Sequence, residues 1–263
     1  ERMLFVGSCF ADNLGKRFVE NRFRATVNPF GVMYNPASIL HTVERCLEGM
    51  KASDASEVSD ASDTKAEKMM KETPRVAVFT LGTNHVYILK ETGEIVDNCM
   101  KRPQRLFEER ELSVDECTEY LQKAIEPFEK VIVTVSPIRY AKYGYHGSQL
   151  SKATLQLAAD KLVKANPEVV SYFPAYEIMN DELRDYRFYK EDMLHPSDQA
   201  VEYIWERFRT TYFGKAAEQF LEEWRPIKEA LGHKPFNPDS EATKLFLAKT
   251  AEKKRQFEQK YSL

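Results

Sequence analysis

Apolar and polar positions along the chain follow two periods, one typical of buried strands and the other of helices with one buried face. Four short apolar runs predict buried strands, at residues 3–7, 75–81, 131–135 and 169–173, and residues 24–28 are a further strand candidate. Between these runs, apolar residues recur at helical spacing, as in Phe10, Leu14 and Phe18, which would share one helix face. Strands that alternate with helices predict a parallel sheet covered by helices on both sides.

Capping residues mark several of the helix starts. Asn35 followed by Pro36 predicts the start of one helix. Ser113 and Glu116 have the spacing of a capping box, which predicts a helix to about residue 126. A further helix is predicted from Ser151 to the Asn-Pro pair at 166–167. The helix after Pro196 has an apolar stripe formed by Val201, Ile204, Trp205 and Phe208.

The chain divides by composition into a large and a small part. We expect one catalytic domain over residues 1–213, with a disordered or flexible insertion at 51–72, where Ser-Asp-Ala-Ser occurs twice and little can be buried. The last fifty residues predict two helices, around 215–230 and 240–260. We expect this extension, residues 214–263, to pack on the core because isolated helices are marginal in water.

Charge and composition argue against nucleic-acid binding and against a membrane-spanning helix. Thirty-eight basic residues oppose 41 acidic ones, for a formal net charge of −3, and no long basic run occurs before the C-terminal tail. Nucleic-acid binding is therefore not expected. No apolar run reaches the roughly 18 residues that a membrane-spanning helix needs. No cofactor is expected, and the sequence leaves the oligomeric state open.

Cysteine usage favours a reducing compartment. The spacing of Cys9, Cys46, Cys99 and Cys117 matches neither a zinc motif nor a disulfide framework, so a cytoplasmic location is expected. Because Glu1 lies only two residues before an apolar run, we expect further residues upstream, and a signal peptide there stays open.

Polar residues follow the predicted strands at the points where these strands end. In open parallel sheets, ligands bind beyond the carboxyl ends of the strands, so these residues define one candidate site. They are Gly7-Ser8-Cys9, Asn28-Pro29-Phe30-Gly31, Gly82-Thr83-Asn84-His85, Ser136-Pro137 and, twenty residues after the last strand, Asp192 and His195.

This set of side chains fits acyl transfer. A serine hydroxyl needs a base, so Ser8 is predicted as the nucleophile and His195 as the base that takes its proton. Asp192, three residues before His195, would orient the imidazole. The developing oxyanion would be held by the backbone N–H groups of Ser8 and Gly31 and by the Asn84 amide.

The run Gly7-Ser8-Cys9-Phe10-Ala11 is the motif that names the GSCFA family, and the chain resembles that family over about residues 3–210. Further matching segments are Asn28–Gly31, Tyr34-Asn35-Pro36, Leu81-Gly82-Thr83, Val135–Arg139, Gly147 with Leu150–Ala153, Tyr172–Glu177 and Asp192–Pro196. The family looks like a branch of the SGNH (GDSL-type) hydrolases.

The resemblance implies a three-layer α/β/α flavodoxin-like sandwich with a five-stranded parallel sheet, followed here by the C-terminal helices. It implies a serine esterase that acts on a small-molecule or glycan ester, such as one from the cell envelope. It assigns the nucleophile to Ser8, the oxyanion donors to Gly31 and Asn84, and the catalytic pair to Asp192 and His195. The chain departs from the pattern where no acidic residue precedes the serine and where His85 replaces the usual aspartate.

Several alternatives stay open at this stage. Cys9 is a rival nucleophile beside Ser8, because a thiol near a base is activated. His85, His146 and the Asp192–His195 pair would be a rival metal site. An O-acyltransferase would use the same acyl-enzyme, and a non-catalytic module of the same fold would only bind a ligand.

A loop over residues 138–150 is expected to cover the pocket. Together with His85, three of its residues are predicted to bind the substrate, namely Arg139, Tyr140 and His146.

Overall fold

The computed structural model describes residues 2–55, 74–97, 99 and 102–263. The chain divides into two compact units. One unit comprises Glu1–Val19 and Phe23–Glu206, and the other comprises Glu20–Arg22 and Arg207–Leu263. All the predicted site residues belong to the first unit.

The secondary structure alternates between strands and helices over most of the first unit. The strands are β1 (Met3–Gly7), β2 (Ala25–Val27), β3 (Val76–Leu81), β4 (His85–Leu89), β5 (Ile95–Val96), β6 (Phe107–Glu111), β7 (Lys130–Val135) and β8 (Val170–Tyr172). The helices are α1 (Cys9–Glu20), α2 (Pro36–Ala55), α3 (Val114–Ile125), α4 (Gly144–Ala165), α5 (Ala175–Glu177), α6 (Asp198–Tyr212), α7 (Lys215–Gly232) and α8 (Glu241–Tyr261).

The five predicted strands form one sheet in the order β2-β1-β3-β7-β8. All four neighbouring pairs are parallel, so the carboxyl ends of all five strands lie along the same edge. This order is that of the flavodoxin-like doubly wound fold, with its switch point between the first and third strands of the chain. The predicted fold class is confirmed.

Helices cover both faces of this sheet. Side chains alternate along each strand, so both faces carry apolar side chains that the helices bury. Leu4 and Val6 of β1 join the buried cluster that includes residues from α2, α3 and α4. Phe5 points the other way and contacts Phe18 of α1, with 4.8 Å between the ring centroids. Phe18 in turn contacts Trp205 of α6 at 5.3 Å.

A second, antiparallel sheet of three strands, in the order β5-β4-β6, was not expected from the sequence. Strand β6 reads Phe-Glu-Glu-Arg-Glu and buries only its first residue, so it lacks the apolar pattern of a core strand. Its pairing with β4 comes from backbone hydrogen bonds, which a hydrophobic pattern does not record.

Two segments differ from the sequence prediction at their boundaries. Helix α2 continues to Ala55 and so includes the first residues of the stretch predicted to be disordered, and residues 56–72 of that prediction lie outside the described residues. Helix α4 begins at Gly144 rather than Ser151, so residues 144–150 of the expected loop 138–150 are helical. The predicted capping box of Ser113 and Glu116 is present at α3.

The second unit contains the two helices predicted near the C-terminus. Helices α7 and α8 pack through aromatic side chains, with 4.9 Å between the Phe220 and Phe257 ring centroids and 5.2 Å between those of Trp224 and Phe257. The predicted domain boundary after residue 213, and the packing of this extension on the core, stay predictions.

Candidate active site

The turn between β1 and α1 is held tightly against strand β3. Gly7 has a φ of +144°, and a Cβ atom there would lie 2.2 Å from the Thr80 carbonyl oxygen. The next residue, Ser8, donates its backbone N–H to the same Thr80 carbonyl at 3.1 Å. Only glycine therefore allows this close approach of the two strands at position 7.

The Ser8 side chain is buried and engaged. It has no exposed surface, its Oγ lies 3.0 Å from Thr80 Oγ1, and the Phe10 N–H donates to the same Oγ at 3.2 Å. Because α1 begins at Cys9, Ser8 stands at the N-cap position and its hydroxyl caps the second helical residue. In this geometry the hydroxyl stabilises the turn.

Cys9 is the first residue of α1 and, unlike Ser8, is partly exposed. Its Sγ lies 3.6 Å from Tyr34 Oη. Burial, followed by the hydrogen bond with Cys9, raises the pKa of Tyr34 to about 12, so this phenol stays protonated. Among the described residues, no acceptor is bonded to the Cys9 N–H, which is one of the donors left unpaired at a helix start.

Asp192 and His195 form a close pair within one turn. Asp192 Oδ2 lies 2.6 Å from His195 Nδ1, while Asp192 Oδ1 accepts from the N–H groups of Leu194 at 2.8 Å and His195 at 3.0 Å. These two backbone donors, and then the imidazole, lower the pKa of Asp192 to about 2. An ionised carboxylate only accepts, so Nδ1 donates the proton and Nε2 is the atom left for proton transfer.

The turn that carries His195 lies at the carboxyl edge of the sheet. Arg139, just beyond β7, donates its backbone N–H to the Leu194 carbonyl at 3.1 Å. The adjacent Tyr140 packs its ring 5.9 Å from that of Tyr34, the partner of Cys9. Residues 8–9 and His195 therefore lie on the same sheet edge. Among the described residues, however, neither Ser8 Oγ nor Cys9 Sγ is hydrogen-bonded to His195.

The predicted oxyanion donors all have partners within the fold. The Ser8 N–H is bonded to Thr80, and the Gly31 N–H donates to the Asn28 carbonyl at 2.9 Å. The Asn84 side chain is buried, and its Nδ2 donates to the Leu112 carbonyl at 2.8 Å. This oxyanion assignment stays a prediction. The Cys9 N–H was not among the predicted donors, and over the described part of the chain it has no acceptor at the helix start.

An aromatic cavity of about 260 Å³ adjoins Cys9 through Tyr34. We call it the tyrosine pocket, and its lining includes Tyr34, Tyr87, Tyr140, Tyr143, His85 and Lys142. The His85 ring stacks on Tyr143, with 3.7 Å between the centroids. Two residues predicted to bind the substrate, His85 and Tyr140, therefore line one cavity.

A second cavity, of about 190 Å³, contains Arg139. We call it the arginine pocket, and its lining includes Arg139, Arg184, Asn180, Asp185, Tyr186 and Tyr189. His146, the remaining predicted binding residue, lies exposed in the first turn of α4 and lines neither pocket.

The most buried charged side chain of the sheet edge, Lys152, was not identified from the sequence. Its Nζ donates to the carbonyl oxygens of Gly82 at 2.7 Å and Ser136 at 2.8 Å, which follow β3 and β7. Burial lowers the pKa of Lys152 to about 7. Lys152 lies in the segment Leu150–Ala153, which matches the family, and this was the available signal. A lysine in a helix is usually exposed, so its burial was not predicted.

The chain belongs to the GSCFA family. Its residues 2–64 and 50–208 match the GSCFA family profile, and residues 224–263 match that of the C-terminal domain of GSCFA domain proteins. No curated protein matches the chain.

Two solved structures, both single-residue variants of Axe2, share a distant likeness with the chain. One is an acetyl xylan esterase from Geobacillus stearothermophilus, 12% identical, with a TM-score of 0.44 over 80% of this chain and 93% of that one. The other, described as an acetyl-xylooligosaccharide esterase, is 12% identical, with a TM-score of 0.43 over 82% and 95%. Neither likeness bears on the activity of this chain.

Two structural features, a metal cluster and a membrane-spanning helix, are absent from the described part of the chain. Over residues 2–55, 74–97, 99 and 102–263, no group of three or more histidine, cysteine or acidic side chains is arranged to hold a metal ion. Within the same ranges, none of the helices has the length and apolar character to cross a membrane.

Proposed function

We propose that this protein cleaves acyl esters through a covalent acyl-enzyme, with His195 as the base and Asp192 as the residue that orients it. The observation that carries the proposal is the 2.6 Å contact between Asp192 Oδ2 and His195 Nδ1, on the same sheet edge as the turn at residues 8–9. A carboxylate that fixes the imidazole tautomer and leaves Nε2 available is the arrangement a nucleophile needs.

Burial favours Cys9 over Ser8 as the nucleophile. The resemblance assigns this role to Ser8, but its hydroxyl is completely buried and would have to leave both Thr80 and the Phe10 amide to react. Cys9 is a partly exposed residue, and its Sγ contacts Tyr34, which lines the tyrosine pocket. The proposal therefore takes Cys9 as the nucleophile and Ser8 as a positioning residue, with Ser8 as nucleophile being the competing outcome.

The chemistry runs in two steps. The Cys9 sulfur attacks the carbonyl carbon of the ester while its proton passes to His195 Nε2, the bond to the alcohol oxygen breaks, and the alcohol leaves with that proton. Water then attacks the thioester and gives its proton to His195, the carbon–sulfur bond breaks, and the acid leaves as sulfur regains a proton. The unpaired Cys9 N–H is available to the oxyanion formed in each step.

The contact between His195 and the nucleophile is expected to form with substrate. Hydrogen bonds of this kind are often long or misaligned without substrate and shorten in the reacting complex. If another hydroxyl replaces water in the second step, the same acyl-enzyme makes the protein an acyltransferase, and the test substrate should therefore be offered with and without an alcohol acceptor.

The test is hydrolysis of 4-nitrophenyl acetate by four variants. We expect Cys9→Ala and His195→Ala each to lower kcat/KM by about 10⁴-fold, as losses of a catalytic unit do. Ser8→Ala should keep most of the activity at a temperature where it stays folded. Cys9→Ser tests whether sulfur itself is required.

Covalent labelling separates the two nucleophiles. In a Cys99→Ser background, Cys9 is the remaining partly exposed cysteine among the described residues, so alkylation by iodoacetamide should modify Cys9 and remove activity together. A fluorophosphonate probe that labels Ser8, with a dead Ser8→Ala variant, would return the role to the serine. Activity that survives both Cys9→Ala and Ser8→Ala would disprove the covalent mechanism at this turn.

A further inference from the structure

We propose that the arginine pocket binds an anionic group, a carboxylate or a phosphate, so that the ester cleaved beside it is an acidic one. This inference rests on the proposed function, since it names the class of substrate for the same site.

The pocket is lined by two arginine side chains, those of Arg139 and Arg184. Over the described part of the chain, no carboxylate lies within ion-pair distance of the guanidinium of Arg139 or Arg184. The acidic residue of the pocket, Asp185, is turned to Arg187 instead, whose N–H donates to Asp185 Oδ1 at 2.9 Å and whose Nε lies 3.4 Å from the same oxygen. The arginine pocket is therefore electropositive.

Arg139 is held in place without an anion. Its guanidinium carbon lies 3.9 Å from the ring centroid of Tyr189 and 5.9 Å from that of Tyr186. A stacked guanidinium keeps its fork of N–H donors at the edge of the plane, where a carboxylate or phosphate accepts two hydrogen bonds at once. Stacking thus orders Arg139 before the ligand arrives, which lowers the entropy cost of binding.

The arginine pocket shares a wall with the turn that carries the base. Tyr189 pairs with Pro196 in an antiparallel bridge, and Lys190 donates its N–H to the His195 carbonyl at 2.8 Å. Arg139 donates its own N–H to Leu194 at 3.1 Å. The pocket therefore adjoins the turn that carries His195, and the proposal takes the bound group as part of the molecule on which His195 acts.

A π-helical turn, Ile178–Glu182, supplies the amide of the pocket. Such turns insert one extra residue into a helix and occur frequently at functional sites. Asn180 lies in this turn, and its Nδ2 donates to the Tyr176 carbonyl at 2.7 Å, which holds the amide in a fixed direction at the edge of the pocket.

Paired esters that differ only in charge test the proposal. 4-Acetoxybenzoate carries a carboxylate on the leaving group and methyl 4-acetoxybenzoate does not, and 4-acetoxyphenyl phosphate supplies the phosphate arm. 4-Nitrophenyl hemisuccinate and butyrate place the charge on the acyl side. We expect Arg184→Gln and Arg139→Gln to lower kcat/KM for at least one anionic ester by about tenfold or more, mainly through KM, and that for its neutral partner by less than about twofold.

The matched control is Arg75→Gln, because Arg75 is exposed, pairs with Glu129 and does not line the pocket. It should leave the ratio of anionic to neutral kcat/KM unchanged. The inference is overturned if Arg139→Gln and Arg184→Gln lower kcat/KM equally for the anionic and the neutral ester of every pair.

A failure of the proposed function is seen separately, as the absence of hydrolysis for neutral and anionic esters alike. Binding then tests the pocket alone, by NMR titration with 4-hydroxybenzoate and phenyl phosphate and with phenol as the neutral control. The proposed anion site is rejected if the anions bind no more tightly than phenol, or if they bind equally to the parent and to Arg184→Gln. Tighter binding of the anions to the parent supports the site even without hydrolysis.

Discussion

Ser8 Oγ lies 3.0 Å from Thr80 Oγ1, and this contact joins the turn after β1 to strand β3 inside the fold. The same oxygen caps helix α1 through the Phe10 N–H. Both contacts are completely buried. When Ser8 is truncated, the Thr80 hydroxyl and the Phe10 N–H therefore lose a hydrogen-bond partner that water does not replace.

We therefore expect Ser8→Ala to lower the free energy of unfolding by about 1–3 kcal/mol, which combines the loss of the cap with the unpaired Thr80 hydroxyl. Urea denaturation measures it. Thr80→Val keeps the shape and removes the hydroxyl. The double variant should cost less than the sum of the two single variants, because both remove the same contact. A cost below about 0.5 kcal/mol for Ser8→Ala would contradict the structural role.

Asp192 should not limit activity above about pH 4. Its pKa is lowered to about 2, from about 3.9 in an unfolded chain, so the stabilisation of this turn is fully present above pH 4 and is lost as the pH falls towards 2. We measure kcat/KM for a neutral ester from pH 4 to 8 in the parent and in Asp192→Asn. The parent should show no inflection that is missing from the variant. Such an inflection near pH 4 would show that the carboxylate is not held by its two backbone donors.

Asp192→Asn should lower kcat/KM strongly at neutral pH, because an amide no longer fixes the Nδ1–H tautomer. A loss of about 10²-fold to 10⁴-fold is expected from triads of this kind. Asp198→Asn, just after the same turn but exposed and paired with Lys190, is the matched control. A similar loss in both variants would point to a general effect of loop charge.

Lys152 should make the stability of the protein depend on pH between about 7 and 10. Burial lowers the pKa of its amine to about 7, whereas the unfolded chain binds that proton up to about pH 10.4. The unfolded state then binds more protons over this range, so the free energy of unfolding rises with pH.

Lys152→Met removes the titrating group and should flatten that rise when unfolding by urea is compared at pH 7, 8 and 9. Because Lys152 also bonds the carbonyl oxygens of Gly82 and Ser136, the variant should be less stable at every pH. Identical slopes for the parent and the variant would mean that the amine titrates as in the unfolded chain. Lys164→Met, exposed at the end of α4, controls for the loss of a surface charge.

Much of the first unit could be predicted because its elements are encoded locally. Apolar runs predicted four of the five strands of the parallel sheet, with residues 24–28 as the remaining candidate. The spacing of Ser113 and Glu116 predicted a capping box that is present. Asp192 and His195 are three residues apart, so their contact needs only one turn. Strand β6 was missed because a charged strand that pairs through its backbone carries no apolar signal, and β5 was missed because it has only two residues. Strand β4 is an apolar run that the sequence analysis did not assign.

The sequence by itself determined the order of strands and helices, and hence the edge of the sheet at which Ser8, Cys9 and His195 lie. Only the tertiary structure decided which of the two adjacent residues is exposed. That choice depends on Thr80, 72 positions after Ser8, whose hydroxyl bonds the serine inside the fold. The local periodicity of the sequence indicates which side of a single helix or strand is buried. Contacts between distant strands arise only when the whole sheet packs, and the same packing encloses the Lys152 side chain.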